Sequence, residues 1–148
     1  MLADQPTLLL IQGGDPDPNE LLSKWGWYDT TDPTLIHWQV RINYAAGEID
    51  HARYTDDIGA NQVLVPKSEK AHIIYYDKND HSSTDGPYYP ESIFTENGTK
   101  SFVANFGDIT DTIIIDYDTH VTDNGASTEY ENYGDLTGDN IEKQEVDV

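Results

Sequence analysis

Three polar residues, Lys24, Asp56 and Asn132, lie at positions that the alternation of a β-strand assigns to the protein interior. Lys24 shares its strand face with Leu22 and has two tryptophans close by in the sequence. Asp56 continues the row of Tyr54, and the acidic residues on either side of Asn132 take the outward positions. Burying an unpaired ammonium or carboxylate is costly, so three such groups in one core indicate a chemical role.

The chemistry that these three residue types support is the formation of an amide between two side chains. Desolvation lowers the pKa of a lysine and raises the pKa of an aspartate, so Lys24 would be a neutral nucleophile and Asp56 a protonated acid. Asp56 could then hydrogen-bond the side-chain carbonyl of Asn132 and move protons while Lys24 attacks it. Ammonia would leave and an isopeptide bond would remain. Alternation alone leaves an ordinary interpretation open, with a snorkelling surface lysine, a turn-capping carboxylate and a polar residue at a strand end.

Residues of alternating polarity recur along the chain and predict the strands that must position these groups. The longest runs are 35–44 and 112–122, where large apolar residues occupy every second position. The shorter runs are 7–11, 51–56, 62–65, 71–76, 101–104, 129–136 and 141–148. Turn signals rich in glycine, asparagine, aspartate and proline separate them. This pattern predicts an all-β sandwich, with helical turns only at 19–24 and 88–94.

Length and charge limit the classes of function. The chain has 148 residues, which fits a single domain with 1–6 and 146–148 as flanking segments. Its formal net charge of −20 repels nucleic acid and anionic membranes alike. No apolar run approaches the roughly 20 residues of a membrane-spanning helix, and the first residues lack the pattern of a signal peptide. We therefore expect neither nucleic acid nor a membrane as a partner.

Thiol and metal chemistry are disfavoured by residue types and spacing. The chain has no cysteine, which excludes disulfides, thiolate nucleophiles and cysteine zinc sites. Its five histidines lack the close spacing of a local zinc motif. Carboxylate-rich loops suit calcium, but the loop 77–82 departs from the EF-hand pattern because His81 stands at a ligand position. We predict no metal and no cofactor, with weak calcium binding as an alternative.

Four stretches of sequence carry a resemblance to a known family. They are Lys24 followed by the strand Ile36-His-Trp38-Gln-Val-Arg-Ile-Asn43, Tyr54-Thr-Asp56-Asp-Ile58-Gly59, Ile113-Ile-Ile115-Asp-Tyr117-Asp-Thr119-His-Val121-Thr122 and Tyr130-Glu-Asn132. In this order they resemble the collagen-binding-type domain of Gram-positive cell-wall adhesins, a variant immunoglobulin-like β-sandwich. The resemblance implies an isopeptide bond from Lys24 to Asn132, assisted by Asp56. It also implies an extracellular domain at the cell wall whose only chemistry is this single self-crosslinking turnover, and therefore not an enzyme.

The resemblance further implies a shallow ligand trench on the outward face of the sheet that contains Trp38. The residues expected to contact the ligand are Trp25, Gln39, Arg41, Tyr88 and Tyr89, with the two tyrosines leaning over from the loop 85–90. Ser23 and Gln39 depart from the aromatic pattern of this trench, so another matrix protein or a glycan is an alternative to collagen. Ion pairing of Arg41 with a carboxylate, and simple packing of the tyrosines, are the competing interpretations.

Two other classes of function stay open at the level of sequence. A stalk domain would hold another domain away from the cell wall and contact no ligand. A carbohydrate-binding module would use some of the 3 tryptophans and 10 tyrosines as a sugar platform. A β-sandwich hydrolase is disfavoured because no pair stands out among the 28 acidic residues. We expect a ligand-binding adhesin module, with neighbouring domains of the same adhesin as further partners.

Overall fold

The computed structural model describes residues 19–127 and 129–148. Within these residues, the segments of alternating polarity form most of eleven β-strands. The strands are β1 Leu22–Tyr28, β2 Leu35–Ile42, β3 Ile49–Ile58, β4 Gln62–Leu64, β5 Lys70–Tyr76, β6 Ser83–Tyr88, β7 Phe94–Asn97, β8 Ser101–Ile109, β9 Thr112–Val121, β10 Asn132–Gly138 and β11 Ile141–Asp147. The predicted run 7–11 and the flanking segment 1–6 lie outside the described residues.

The strands form two antiparallel sheets packed face to face. The front sheet has the order β1-β2-β9-β5-β6, and β4 also pairs with β9. The back sheet has the order β11-β10-β3-β8-β7. The predicted all-β sandwich of immunoglobulin-like type is confirmed.

The core lies between the two sheets and is built from the inward row of each long strand. In β2, buried and half-buried residues alternate without exception from Leu35 to Ile42, as the sequence predicts. Trp38 fills the centre of the front sheet, and its indole Nε1 donates a hydrogen bond to the Thr119 hydroxyl at 2.9 Å. From the back sheet, the ring of Phe102 packs edge to face on that of Tyr117, with centroids 4.9 Å apart. The contact of Phe102 with Tyr117 joins the two sheets, and side chains that cross between the sheets must span the separation that such packing sets.

The helical turns are confirmed at one of the two predicted positions. A 3₁₀ turn spans Glu91–Ile93, within the predicted stretch 88–94. The prediction for 19–24 is wrong, because β1 begins at Leu22 and pairs along its whole length with β2. Within the described part of the chain, no helix has the length and apolar character needed to cross a membrane.

The prediction of a loop at 85–90 is wrong for residues 85–88. Residues Ser83–Tyr88 form β6, which pairs with β5 at the edge of the front sheet. Most of its side chains are exposed, so it carries no apolar alternation for sequence analysis to detect. Pro87 is tolerated because an edge strand need not donate every backbone hydrogen bond. The short edge strand β7 was likewise not predicted.

Candidate functional site

Lys24 crosses the sandwich from the front sheet to the back sheet. Lys24 is only 1% exposed, and its backbone pairs with that of Val40 in β2. The Nζ atom lies 2.6 Å from Oδ2 of Asp56 in β3 and 2.8 Å from Oδ1 of Asn132 at the start of β10. The structure therefore brings together, in a buried site, the three side chains that the sequence analysis singled out.

Asp56 is held by two tyrosine hydroxyls in addition to the amine. Tyr54 donates to Oδ2 at 2.7 Å, and Tyr117 donates to Oδ1 at 2.9 Å. Gly134 makes room for this arrangement, because a β-carbon there would lie 2.2 Å from the Tyr54 hydroxyl. Sequence analysis placed both tyrosines in the core but missed their part in the site. The signal available was that a buried tyrosine hydroxyl requires a polar partner.

The Asn132 side chain is oriented by donors on its carbonyl oxygen. Oδ1 accepts hydrogen bonds from Lys24 Nζ at 2.8 Å and from the backbone N–H of Tyr133 at 3.0 Å. The amide nitrogen Nδ2 has the Tyr117 hydroxyl as a neighbour but makes no hydrogen bond of normal geometry with the described residues. The Tyr133 N–H therefore polarises the carbonyl independently of the amine, and the nitrogen that would leave is weakly held.

One contact differs from the sequence-based expectation. Asp56 was expected to hydrogen-bond the Asn132 carbonyl, but its hydrogen bonds in the structure go to the Lys24 amine and to the hydroxyls of Tyr54 and Tyr117. The carbonyl is already occupied by its two N–H donors. Asp56 therefore contacts the Lys24 amine directly. It is connected to the nitrogen of the Asn132 side chain through the Tyr117 hydroxyl.

The electrostatics of the site favour neutral groups. Burial lowers the pKa of the Lys24 amine, although the Asp56 carboxylate opposes the shift. Burial also raises the pKa of Asp56, against the opposing effect of the amine and the two hydroxyls. Both shifts act in the direction of proton transfer from lysine to aspartate, because a low-dielectric site penalises each charged form. A neutral amine beside a protonated acid is the form needed for attack on an amide.

The expected ligand residues on β1 and β2 lie together on the outward face of the front sheet. Trp25 is paired with Gln39, and the Gln39 amide donates to Asp116 at 2.9 Å. The Arg41 guanidinium lies over two rings, 5.4 Å from the centre of Trp25 and 4.9 Å from that of Tyr44. Arg41 also forms an ion pair with Glu20 at 3.2 Å. This side chain is thus held in place by both stacking and a carboxylate.

The two tyrosines expected above this face, Tyr88 and Tyr89, lie in different environments. Tyr88 is 61% exposed on β6, and its ring stacks on His72 with centroids 4.8 Å apart. Tyr89 is half-buried and packs edge to face on Phe106 of the back sheet, at 5.1 Å. Of the pair, Tyr88 is placed to contact a ligand on the outward face, while Tyr89 is turned towards the other sheet.

A cross-strand row on the same face contains two residues, Ile114 and His72, that were not predicted to be buried there. Its members are paired in register, in the order Ser23, Arg41, Ile114, His72 and Tyr88. Ile114 and His72 are almost fully buried although they point away from the core. Neighbouring side chains therefore cover both residues on the outward face of the sheet. Alternation assigned this side of β5 and β9 to solvent, which hid both residues.

Comparison with known proteins identifies the family of this chain. Residues 19–147 match the sequence profile of the collagen binding domain. The chain belongs to the collagen-binding domain family. The family is described by a binding role and not by a catalytic one.

Solved structures place other members of the collagen-binding domain family on the same fold. The collagen binding subdomain of the Enterococcus faecalis surface protein ACE aligns with a TM-score of 0.65 and 16% identity, covering 90% of this chain and 96% of that one. The collagen-binding domain of a Staphylococcus aureus adhesin aligns with a TM-score of 0.62 and 14% identity, covering 87% and 95%. At these identities the likeness shows a shared fold.

A curated relative links the collagen-binding domain to a larger protein. The wall-associated protein of Streptococcus mutans serotype c (strain ATCC 700610 / UA159) is 39% identical over 61 residues. The match covers 41% of this chain but only 13% of that protein. The family relationship is therefore shown for the domain, while the bulk of the relative has no counterpart in this chain.

Proposed function

We propose that the domain is an extracellular adhesin module of a Gram-positive cell wall that binds collagen or another matrix protein. We propose further that it is stabilised by an autocatalytic isopeptide bond between Lys24 and Asn132. Family membership supports the first part. The observation that carries the second part is the 2.8 Å contact between the Lys24 amine and the Asn132 amide oxygen in a sealed site.

The reaction begins with neutral Lys24 and protonated Asp56. The lone pair of Nζ attacks Cγ of Asn132, and the carbonyl π electrons move to Oδ1. The backbone N–H of Tyr133, already 3.0 Å from Oδ1, stabilises the charge that develops there. A donor fixed by the backbone before the reaction needs no reorganisation during it.

Collapse of the adduct expels ammonia. Nζ loses one proton to Asp56, which lies 2.6 Å away, and Asp56 supplies one proton towards Nδ2. The Tyr117 hydroxyl hydrogen-bonds Asp56 and neighbours Nδ2, so it can relay that proton. The Cγ–Nδ2 bond breaks, the Cγ–Nζ bond remains, and Asp56 ends protonated as it began, now with the proton that it received from Nζ. One lysine and one asparagine thus become one secondary amide and one ammonia.

For ligand binding, we propose the outward face of the front sheet. This face offers a fixed guanidinium on Arg41, an amide on Gln39 and an exposed ring on Tyr88. A mixture of aromatic area and oriented hydrogen-bonding groups suits an extended polypeptide better than a non-binding spacer. Neighbouring domains of the same adhesin are further partners in this scheme, and a host glycan is the alternative ligand.

The test of binding is a screen of immobilised collagens, other matrix proteins and host glycans. The double variant Gln39→Ala and Arg41→Ala should lose the signal given by the wild type. The matched control is Arg53→Ala, because Arg53 is an exposed arginine on β3 of the opposite sheet. Equal binding by the double variant and the wild type would move the site elsewhere, and no binding by the wild type would favour a stalk domain.

A further inference from the structure

An acidic pocket opens on the surface of the sandwich, with no part of the triad of Lys24, Asp56 and Asn132 in its lining. It has a volume of about 350 Å³ and is lined by Lys67, Glu69, Glu91, Ser92, Phe94 and Glu96. Glu69 directly precedes β5 of the front sheet, whereas Phe94 and Glu96 belong to β7 at the edge of the back sheet. The pocket thus lies between the start of β5 and the edge strand β7, and its size falls at the lower end of the roughly 300–1,000 Å³ of small-ligand sites.

Glu69 is an unusual group to find in this position. It is only 4% exposed, and its Oε1 atom is buried without an N–H or hydroxyl donor from any described residue. A buried carboxyl oxygen without a donor is costly, so native proteins rarely leave one unless something else satisfies it. The carboxyl of Glu96 is its neighbour, and the two acids can hydrogen-bond only by sharing a proton.

The remaining walls favour a long cationic side chain over a metal ion. Phe94 supplies an aromatic surface for an aliphatic stem or a guanidinium plane, and Glu91 adds a third acid. Among the described residues, no group of three or more acidic or histidine side chains has a geometry that could hold a metal. Two carboxylates beside a ring match the planar fork of an arginine or the ammonium of a lysine.

We propose that this pocket receives one basic side chain, an arginine or a lysine, from a partner polypeptide. The net charge of −20 attracts basic partners at long range. The segment 1–18 contains no lysine or arginine, so it cannot supply the side chain. Lys67 and Lys70, which lie beside the pocket, are the cations of this chain that could compete for it.

Binding of the cation is coupled to release of a proton. Burial and the hydrogen bond with Glu96 raise the pKa of Glu69 to about 8. The charges near Glu69 are those of Glu96, Asp56, Glu91, Lys67 and Lys70. An incoming cation favours the ionised carboxyl, so affinity should fall about tenfold for each pH unit below about 8.

The experiment is an NMR titration of the folded domain with Nα-acetyl-arginine amide and Nα-acetyl-lysine amide, using Nα-acetyl-citrulline amide as the neutral control. We expect saturable shifts at residues around Glu69 and Glu96 with a cationic probe, and none with citrulline. Glu69→Gln should weaken binding by at least about tenfold, because it removes a charge from a buried pair. Glu142→Gln, which removes an exposed acid on β11, should leave binding unchanged.

Several results would overturn the proposal. These are the absence of binding by both cationic probes, equal shifts with citrulline, unchanged affinity in Glu69→Gln, and affinity independent of pH between about 6 and 9. If only the double variant Lys67→Met and Lys70→Met bound the probes, the chain's own lysines would be the occupants and no partner would be needed. Should Glu69→Gln fail to fold, Glu96→Gln provides the same test from the back sheet.

Discussion

Replacing Lys24 by methionine should lower the thermal stability of the domain sharply. The bond would join residues that are 108 positions apart, and the chain-entropy description of a crosslink gives about 4.8 kcal/mol for a loop of that length. At roughly 2–4 °C per kcal/mol for a domain of this size, the melting temperature should fall by about 10–20 °C. Methionine keeps most of the side-chain volume and leaves no unpaired ammonium, so the loss reports mainly the missing bond.

The assay is calorimetric unfolding of the wild type and of Lys24→Met, with the mass of each sample measured beforehand. A matched variant, Lys100→Met, removes a lysine that donates to the backbone carbonyls of Gly59 and Gln62 but takes no part in the site. It should cost only what two hydrogen bonds contribute, about 1–3 kcal/mol. Equal melting temperatures for Lys24→Met and the wild type would refute the covalent tie.

Three further predictions concern single side chains. Asp56→Ala should fold without losing ammonia, because the acid moves protons during the reaction but is absent from the final bond. Mass spectrometry checks this prediction. An ammonia loss in the variant would assign the role to another acid, with Asp57 as the first candidate. Tyr117→Phe should slow the crosslinking of freshly refolded protein while leaving its end point unchanged, since only the relay from Asp56 is lost; an unchanged rate would remove Tyr117 from the mechanism. Partial burial alone would lower the pKa of His37, but hydrogen bonds to Asp29 and Asp118 outweigh this effect and raise the pKa. The contribution of His37 to stability is therefore present below about pH 6.5 and is lost as the pH rises through the raised pKa. The melting temperature should change less with pH in His37→Gln than in the wild type, and equal changes would contradict the assignment.

The inward rows of the central strands could be predicted because each of these strands has one face towards solvent and one towards the core. This asymmetry produces an alternation with a period of two residues. Lys24, Asp56 and Asn132 are all buried at the positions that this alternation predicts. The edge strands β6 and β7 have most of their side chains in solvent, so the same period carries no signal there.

Contacts between the two sheets could not be predicted from period alone. Alternation states that Tyr117 and Asp56 both face inward, but the distance between them depends on sheet separation and register. For the same reason, alternation could not show that Asp56 hydrogen-bonds the Lys24 amine rather than the Asn132 amide. Glu69 stands in a polar run beside Ser68 and Lys70, and nothing in that run marks it as buried.

The isopeptide bond can be detected in the intact mass of the freshly folded, unmodified protein, followed by tryptic mapping. We expect a mass lower than that of the sequence by one ammonia, and a branched peptide that joins Lys24 to Asn132. A mass equal to that of the full sequence, with Lys24 and Asn132 recovered in separate linear peptides, would contradict this expectation.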